Sequence, residues 1–329
     1  MNPQLALLEK WTAEQLEQAS LACFRDSFAS FSVQASPAFA LPPLHPLTPP
    51  VYREEIGAAK FPGLETVGGL DISFGPGDEA VAVLAVLSFP ELKLLNTLAH
   101  RIDLSATPYI HSYLSFREAD HYLDLIKELR SQPDARIPQV LLVDGNGRWH
   151  PRQAGSAVAV GAKTGIPTIG IAKEYHTIAS TSTSPPPPSA SSTLLPSSSS
   201  PLPPFPPDFR SSQKGMRNAC QVLLKRTGEW MGLTGPSKEG VEDEGEREDQ
   251  GEGEVDERYW GAAVLTSPSK TASNPVFVSP GHLLSLSTAI QLTLACCTES
   301  KVPEPVRKAD AIGREEVRKL WGVSATATE

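Results

Sequence analysis

Hydrophobic periodicity comes and goes along the chain, and where it is present it is clear. Residues Thr66 to Phe74 form an apolar run, followed by a Gly75-Pro-Gly-Asp78 turn, a second run from Ala80 to Ser88 and a third from Leu92 to Leu98. Runs of this length separated by Gly- and Pro-containing turns predict an antiparallel meander, with Asp71 in its first strand. From Ser115 to Leu129 the residues Phe116, Ala119, Leu123, Ile126 and Leu129 recur near helical spacing, with Arg117 and Glu118 at the start. Gln139 to Asp144 is continuously apolar up to its last residue, as expected of a central strand covered on both faces. An Ala- and Gly-rich helix is predicted over Gln153 to Thr164 and a further strand over Pro167 to Lys173. Strand, helix and strand in this order imply a right-handed parallel crossover.

At the N-terminus, Thr12 and Gln15 have the spacing of a capping box and predict a helix over Trp11 to Phe24. Later periodic segments predict a helix over Gln213 to Lys225, strands over 259–266 and 275–278, a helix over Ser285 to Cys297 and a last helix from about Asp310 to Trp321. The rest has no periodicity. Pro37 to Pro50 reads as a Pro-rich surface connector, and residues 179–207 consist largely of Ser, Thr and Pro. Such a segment cannot bury enough apolar surface to offset its chain entropy, so it is expected to be disordered. The division that follows is one core in three pieces, 1–178, 209–238 and 258–322, interrupted by a Ser/Pro-rich insert at 179–208 and an acidic insert at 239–257, with a tail at 323–329.

Charge changes the picture once it is apportioned. The formal net charge is −9, but residues 239–257 carry eleven Asp or Glu and one Arg, a net −10, which leaves +1 for everything else. The core is therefore compatible with a polyanionic partner, through clusters such as Lys214, Arg217, Lys225 and Arg226, or Lys301, Arg307 and Lys308. Cys23, Cys220, Cys296 and Cys297 show neither metal-binding spacing nor a disulfide framework, which points weakly to a reducing compartment. The first ten residues lack a secretory pattern and no apolar run is long enough to span a bilayer. The expectation is an intracellular protein, in cytoplasm or nucleus, nucleolus included, with no membrane partner.

Three carboxylates supply the candidate chemistry. Asp71, Glu118 and Asp144 each end or follow an apolar run, within Val67-Gly-Gly-Leu-Asp-Ile-Ser-Phe74, Tyr113-Leu-Ser-Phe-Arg-Glu118 and Gln139-Val-Leu-Leu-Val-Asp-Gly-Asn-Gly147. An Asp after a strand commonly serves as a turn former or helix cap. Here glycines free the backbone after Asp144, and His150, Arg152 and Lys173 follow within one strand-helix-strand stretch. Converging carboxylates repel one another unless a cation joins them, and Mg²⁺ prefers such oxygen ligands. The residues alone thus suggest a Mg²⁺-dependent phosphodiesterase.

Gly69-Leu-Asp-Ile-Ser73, Pro108-Tyr-Ile110 with Leu114-Ser-Phe-Arg-Glu118, Val143-Asp-Gly-Asn-Gly147 with His150-Pro-Arg152, Pro167-Thr-Ile-Gly-Ile-Ala-Lys173, Val278-Ser-Pro-Gly-His282 and Val302-Pro-Glu-Pro-Val-Arg-Lys-Ala-Asp310 occur in that order. The series resembles the endonuclease V family in its eukaryotic form, over roughly residues 8–178 and 209–320. The resemblance implies a ribonuclease H-like α/β fold: a mixed central sheet flanked by helices, here with disordered insertions. It assigns Asp71, Glu118 and Asp144 to a Mg²⁺ site that also accepts Mn²⁺, with His282 as a further ligand or as the group handling the attacking water. Lys173 would meet the scissile phosphate, and His150 the same phosphate or the recognised base. Tyr109 matches a wedge tyrosine in Pro-Tyr-Ile, with Ile110 beside it, and backbone amides around Leu114, Gly145, Gly147 and Gly155 would line a pocket for a deaminated base.

One departure stands out. The family commonly continues Pro-Tyr-Ile with Pro-Gly-Leu, whereas this chain has His111-Ser112-Tyr113 before Leu114. Loss of the rigid Pro and the small Gly predicts a more flexible wedge loop and a tighter pocket. The activity implied is cleavage of a phosphodiester 3′ to inosine in nucleic acid by a monomer, leaving 3′-hydroxyl and 5′-phosphate ends, with single-stranded RNA favoured. A DNA-repair nuclease for hypoxanthine and a non-catalytic inosine-RNA binding module are the alternatives.

Overall fold

The computed structural model describes residues 3–36, 51–53, 59–178, 212–235, 259–267 and 274–322. Most of the Pro-rich connector, the Ser/Pro-rich and acidic inserts and the tail lie outside these residues. Fifteen elements are present: α1 (Pro3–Leu21), β1 (Val51–Arg53), β2 (Thr66–Phe74), β3 (Glu79–Ser88), β4 (Leu94–Asp103), α2 (Ser115–Ser131), β5 (Val140–Asp144), α3 (Ser156–Thr164), β6 (Thr168–Ala172), α4 (Gln213–Leu223), β7 (Glu229–Thr234), β8 (Tyr259–Val264), β9 (Val276–His282), α5 (Leu286–Ala295) and α6 (Glu304–Trp321). None of the described helices is long and apolar enough to cross a membrane.

All nine strands form one sheet in the order β1-β7-β8-β9-β6-β5-β2-β3-β4. The meander β2-β3-β4 is antiparallel, whereas β2 with β5 and β5 with β6 are parallel, as the crossover rule requires. This mixed sheet with helices on both faces is the predicted α/β architecture. Alternation along β2 and β3 separates two cores. Leu70, Ala82 and Leu84 pack with Tyr122, Leu125 and Leu129 of α2 and Ala157 and Val160 of α3, while Val67, Val81 and Val83 pack with Val306, Ala309 and Val317 of α6.

The docking of α6 is set by two glycines. A Cβ on Gly69 would collide with the Pro305 carbonyl, and one on Gly313 would collide with Ser73. Pro305 to Gly313 spans about 12 Å of helix rise. Gly69 to Ser73 spans about 13 Å of strand rise. Helix and strand therefore run alongside each other at matched length, with Asp71 and Asp310 facing the middle of that contact.

Several elements differ from expectation, among them β1, which no predicted strand covers, and β4, which runs on to Asp103. The N-terminal helix begins at Pro3, so Thr12 and Gln15 lie within it and cap nothing; Thr12 Oγ1 instead meets Tyr113 Oη at 2.7 Å. The last helix begins six residues before Asp310, at Glu304, after the Pro303 N-cap. Strand β7, from Glu229 to Thr234, was not anticipated; it pairs with β8 and carries buried Trp230, Met231 and Leu233.

Candidate active site

Neighbouring strands place the first two carboxylates side by side. Leu70 pairs with Val143 in the parallel β2–β5 ladder, so Asp71 and Asp144 are the next residues outward on adjacent strands. Strand β5 ends at Asp144 while β2 continues to Phe74, which leaves Asp71 at a step in the sheet, 3% exposed. Ser73 Oγ donates to Asp71 Oδ2 at 3.3 Å. Burial, then the charge and hydrogen bond of Asp144, hold the Asp71 carboxyl well above the usual range.

Glu118 enters from the first turn of α2 and accepts a 2.8 Å hydrogen bond from Ser156 Oγ, at the start of α3. Burial pushes its carboxyl up to about 7, partly offset by Ser156 and added to by Asp144. Lys173 follows β6 and donates to Asp144 Oδ2 at 2.6 Å. Burial works against its charge, but Asp144, Asp71 and Asp310 outweigh this and raise its pKa.

Asp310 completes the cluster and was missed in the sequence. It lies 3.6 Å from Lys173 Nζ and 3.0 Å from Arg314 Nε. Its spacing to Arg314 is that of an ordinary surface i,i+4 pair; only the seating of α6 on β2 shows that the pair faces a cavity. That cavity, about 540 Å³, is lined by Asp71, Glu118, Asp144, Lys173, Asp310 and Arg314, and by Tyr109, His111, Ser112 and His176 among others.

His282 is not part of the site. Strand β9 runs antiparallel to β6, pairing Thr168 with His282 and Ala172 with Phe277, so His282 stands at the end of β6 away from Lys173. Four residues of strand separate the two levels, about 13 Å. Its Nδ1 accepts the Cys23 backbone N–H at 3.2 Å. The Ser-Pro-Gly-His segment lies within the strand up to its last residue and not after it, which carries the imidazole to the wrong edge.

The recognition residues divide. Tyr109 is 51% exposed at the cavity, and Leu114, Gly145, His150 and Gly155 also line it; Ile110 and Gly147 do not. Three of the expected amides are already used: Gly145 donates to Ile171 O, Gly147 to Ser279 Oγ and Gly155 to Gly147 O. A Cβ on Gly147 would strike the Pro280 carbonyl, so this glycine permits strand packing and is not left open for a ligand. His150 is equally committed. Its Nδ1 accepts from the Arg152 N–H at 3.3 Å and its Nε2 therefore donates to Ser112 O at 2.9 Å. Burial, then the Arg152 charge, hold it down to about 3, so it offers no charge to a phosphate.

The wedge loop is held more firmly than its sequence predicts. Ser112 O accepts from His150 Nε2, Arg152 Nη2 at 2.7 Å and Gln15 Nε2 at 3.2 Å. Arg152 also lies 4.2 Å over the Tyr113 ring. Ser112 itself sits at φ +65°, the left-handed region that glycine occupies at little cost. Of the expected surface cations, Arg307 is bonded to Glu304 within α6, whereas burial above all, with the Lys173 and Arg217 charges, lowers the Lys301 pKa.

Asp71, Asp144 and Asp310 surround one lysine, and Glu118 adjoins them through Asp144. Asp71, Glu118, Asp144 and Asp310 are the residues that could hold a divalent cation; burial above all, with the Asp144 charge adding to it, raises the Asp71 and Glu118 carboxyls. Among the described residues no three ligands already stand in coordinating geometry, since Lys173 Nζ lies between Asp144 and Asp310. The donor set is all hard oxygen, which suits Mg²⁺ better than softer metals.

Comparison with known proteins agrees with this geometry. The sequence profile of the Endonuclease V family matches residues 51–200 and 234–311. Human Endonuclease V is 33% identical over 82% of this chain and 77% of its own length. The crystal structure of the human catalytic domain superimposes with a TM-score of 0.67 at 29% identity, covering 96% of this chain and 98% of that one. Ciona intestinalis Endonuclease V, solved with a 23mer DNA containing an inosine followed by a ribo-adenosine, gives a TM-score of 0.62 at 25% identity, covering 97% and 99%. The chain belongs to the endonuclease V family, nucleases that act on phosphodiester bonds.

Proposed function

We propose that this protein is a Mg²⁺-dependent endonuclease that cleaves a phosphodiester 3′ to inosine in single-stranded RNA, leaving 3′-hydroxyl and 5′-phosphate ends. The observation that carries the reading is that four carboxylates, Lys173 and the exposed Tyr109 line one cavity. A divalent cation supplies an activated water and stabilises the leaving oxygen; Mn²⁺ is expected to substitute. Asp71, Glu118, Asp144 and Asp310 would hold and charge-balance that cation. Lys173, beside Asp144, would present its ammonium to the scissile phosphate. Tyr109 takes the place of the extruded base, while the cavity accepts the base itself.

The ribonucleotide preference draws support from the Ciona relative, whose bound strand carries a ribo-adenosine after the inosine. The test compares cleavage of matched inosine-containing RNA, DNA and single-ribonucleotide strands, each with Mg²⁺ and with EDTA. Equal turnover of RNA and all-DNA strands would replace this reading with a DNA-repair nuclease, and metal-independent cleavage would remove the assigned role of the carboxylates.

A further inference from the structure

The cavity contains a second constellation, remote from the carboxylates in character: three histidines stacked ring on ring. His111 and His176 have centroids 4.7 Å apart at 19°, and His176 and His150 are 5.9 Å apart at 12°, so His176 is the middle ring. The inner end of the stack is closed, because His150 is 5% exposed and both its nitrogens are bonded. The outer end is not. His111 is exposed, lines the cavity and stands two residues from Tyr109. Ser112 Oγ lies 3.4 Å from His176 Nε2 and ties the middle ring to the same loop.

Two of the three rings are held uncharged. Burial holds His176 down to about 4, with His111 and Arg152 adding to the effect, and His150 down to about 3. At neutral pH the inner two rings of the column are therefore flat neutral heteroaromatics, and the column ends at the mouth of the cavity.

We propose that His111 is a specificity-determining residue: its exposed imidazole face continues the column with a nucleobase flanking the one that enters the cavity, and His176 is the positioning residue that fixes the ring. This inference rests on the reading that the substrate is a nucleic-acid strand with one base extruded. An unpaired flanking base presents a free π-face, and stacking on a side chain contributes on the order of tenfold in affinity without a hydrogen-bond code. The column thus favours strands whose neighbouring bases are unpaired, while tolerating any base there.

The test uses the full chain and short single-stranded inosine-containing RNAs, with an abasic residue placed in turn on either side of the inosine. His111→Ala is expected to raise KM about tenfold with kcat unchanged, and His111→Phe to restore the wild-type KM. In the wild type, an abasic residue at the stacked flank raises KM similarly, and in His111→Ala it adds nothing. His176→Ala reproduces the KM defect and His176→Phe rescues it. The stacking role is overturned if His111→Ala matches wild type, if Phe fails where Lys rescues, which would indicate a phosphate contact, or if the abasic penalties simply add at both flanks. Failure of the wild type to cleave any inosine strand would overturn the parent reading and the stacking role together.

Discussion

Asp144 accepts a 2.6 Å hydrogen bond from Lys173, so the carboxylate central to the site is already paired with the cation assigned to the phosphate. A divalent ion entering the cluster must compete with that ammonium. At about 4 Å a unit charge is worth roughly 1–4 kcal/mol between water-like and protein-like screening. Lys173→Met is therefore expected to bind Mg²⁺ at least about fivefold more tightly, by calorimetry, while losing most of its turnover. Asp144→Asn should lose both metal binding and cleavage. A Lys173→Met protein with unchanged Mg²⁺ affinity would show that the lysine does not compete.

Asp310 and His282 make opposite predictions. Asp310 lies 3.6 Å from Lys173 Nζ, whereas His282 stands at the opposite end of β6. Asp310→Asn should lower kcat by at least about 100-fold. His282→Ala should leave kcat within about threefold of wild type, because it loses only the contact with the Cys23 amide, a net contribution of about 1 kcal/mol. Reversal of the two kcat values would return the histidine to the site.

Much of this was legible in the sequence because the relevant signals are local. The continuous apolar run before Asp144 and the turn-bounded run around Asp71 specify strands, and the parallel pairing of β5 with β6 follows from the helix between them. The contribution of α6 was not legible. Its Asp310–Arg314 spacing is indistinguishable from a solvated helix face, and only the Gly69 and Gly313 contacts reveal that the face is covered. His282 was assigned through the resemblance carried by Val278-Ser-Pro-Gly-His282, whereas β9 extends through that segment and sets the imidazole at the far end of β6. Leu114, Gly145 and Gly155 do line the cavity, but Gly147 does not, because glycine in a loop signals close approach without saying by what; at Gly147 the approaching group is Pro280.

Ser112 adopts φ +65°, which costs an L-residue about 1–2 kcal/mol. Glycine there removes that cost but adds about 0.5–1 kcal/mol of unfolded-chain freedom. Ser112→Gly should therefore stabilise the protein slightly, raising the thermal midpoint by about 2 °C. The Ser112 carbonyl and its three donors are retained, so the loop should keep its position. A drop in midpoint would show that the Oγ contact with His176 outweighs the backbone strain.

Acid should destabilise the column of histidines in a defined window. His150 is held at about 3 when folded, against an ordinary 6.5, so the unfolded chain binds its proton first. Its contribution to stability is fully present above pH 6.5 and is lost as pH falls toward 3. Asp71 and Glu118, whose folded pKa values are raised, change stability in the opposite sense, so the comparison must be between variants. His150→Gln should have a lower midpoint than wild type at pH 7.5 and lose less on going to pH 4.5. Parallel midpoint curves for the two proteins would exclude the buried imidazole as the titrating group.

Seating Asp310 on the chain's last described helix has a temporal consequence. During synthesis, Asp71, Glu118 and Asp144 emerge from the ribosome long before α6, and the β2 surface around Gly69 waits for a partner that has not yet been translated. A nascent polypeptide can pair its meander and crossover strands while its hydrolytic centre lacks its fourth carboxylate. Cleavage competence is thus tied to the appearance of α6, through the order in which the parts are made.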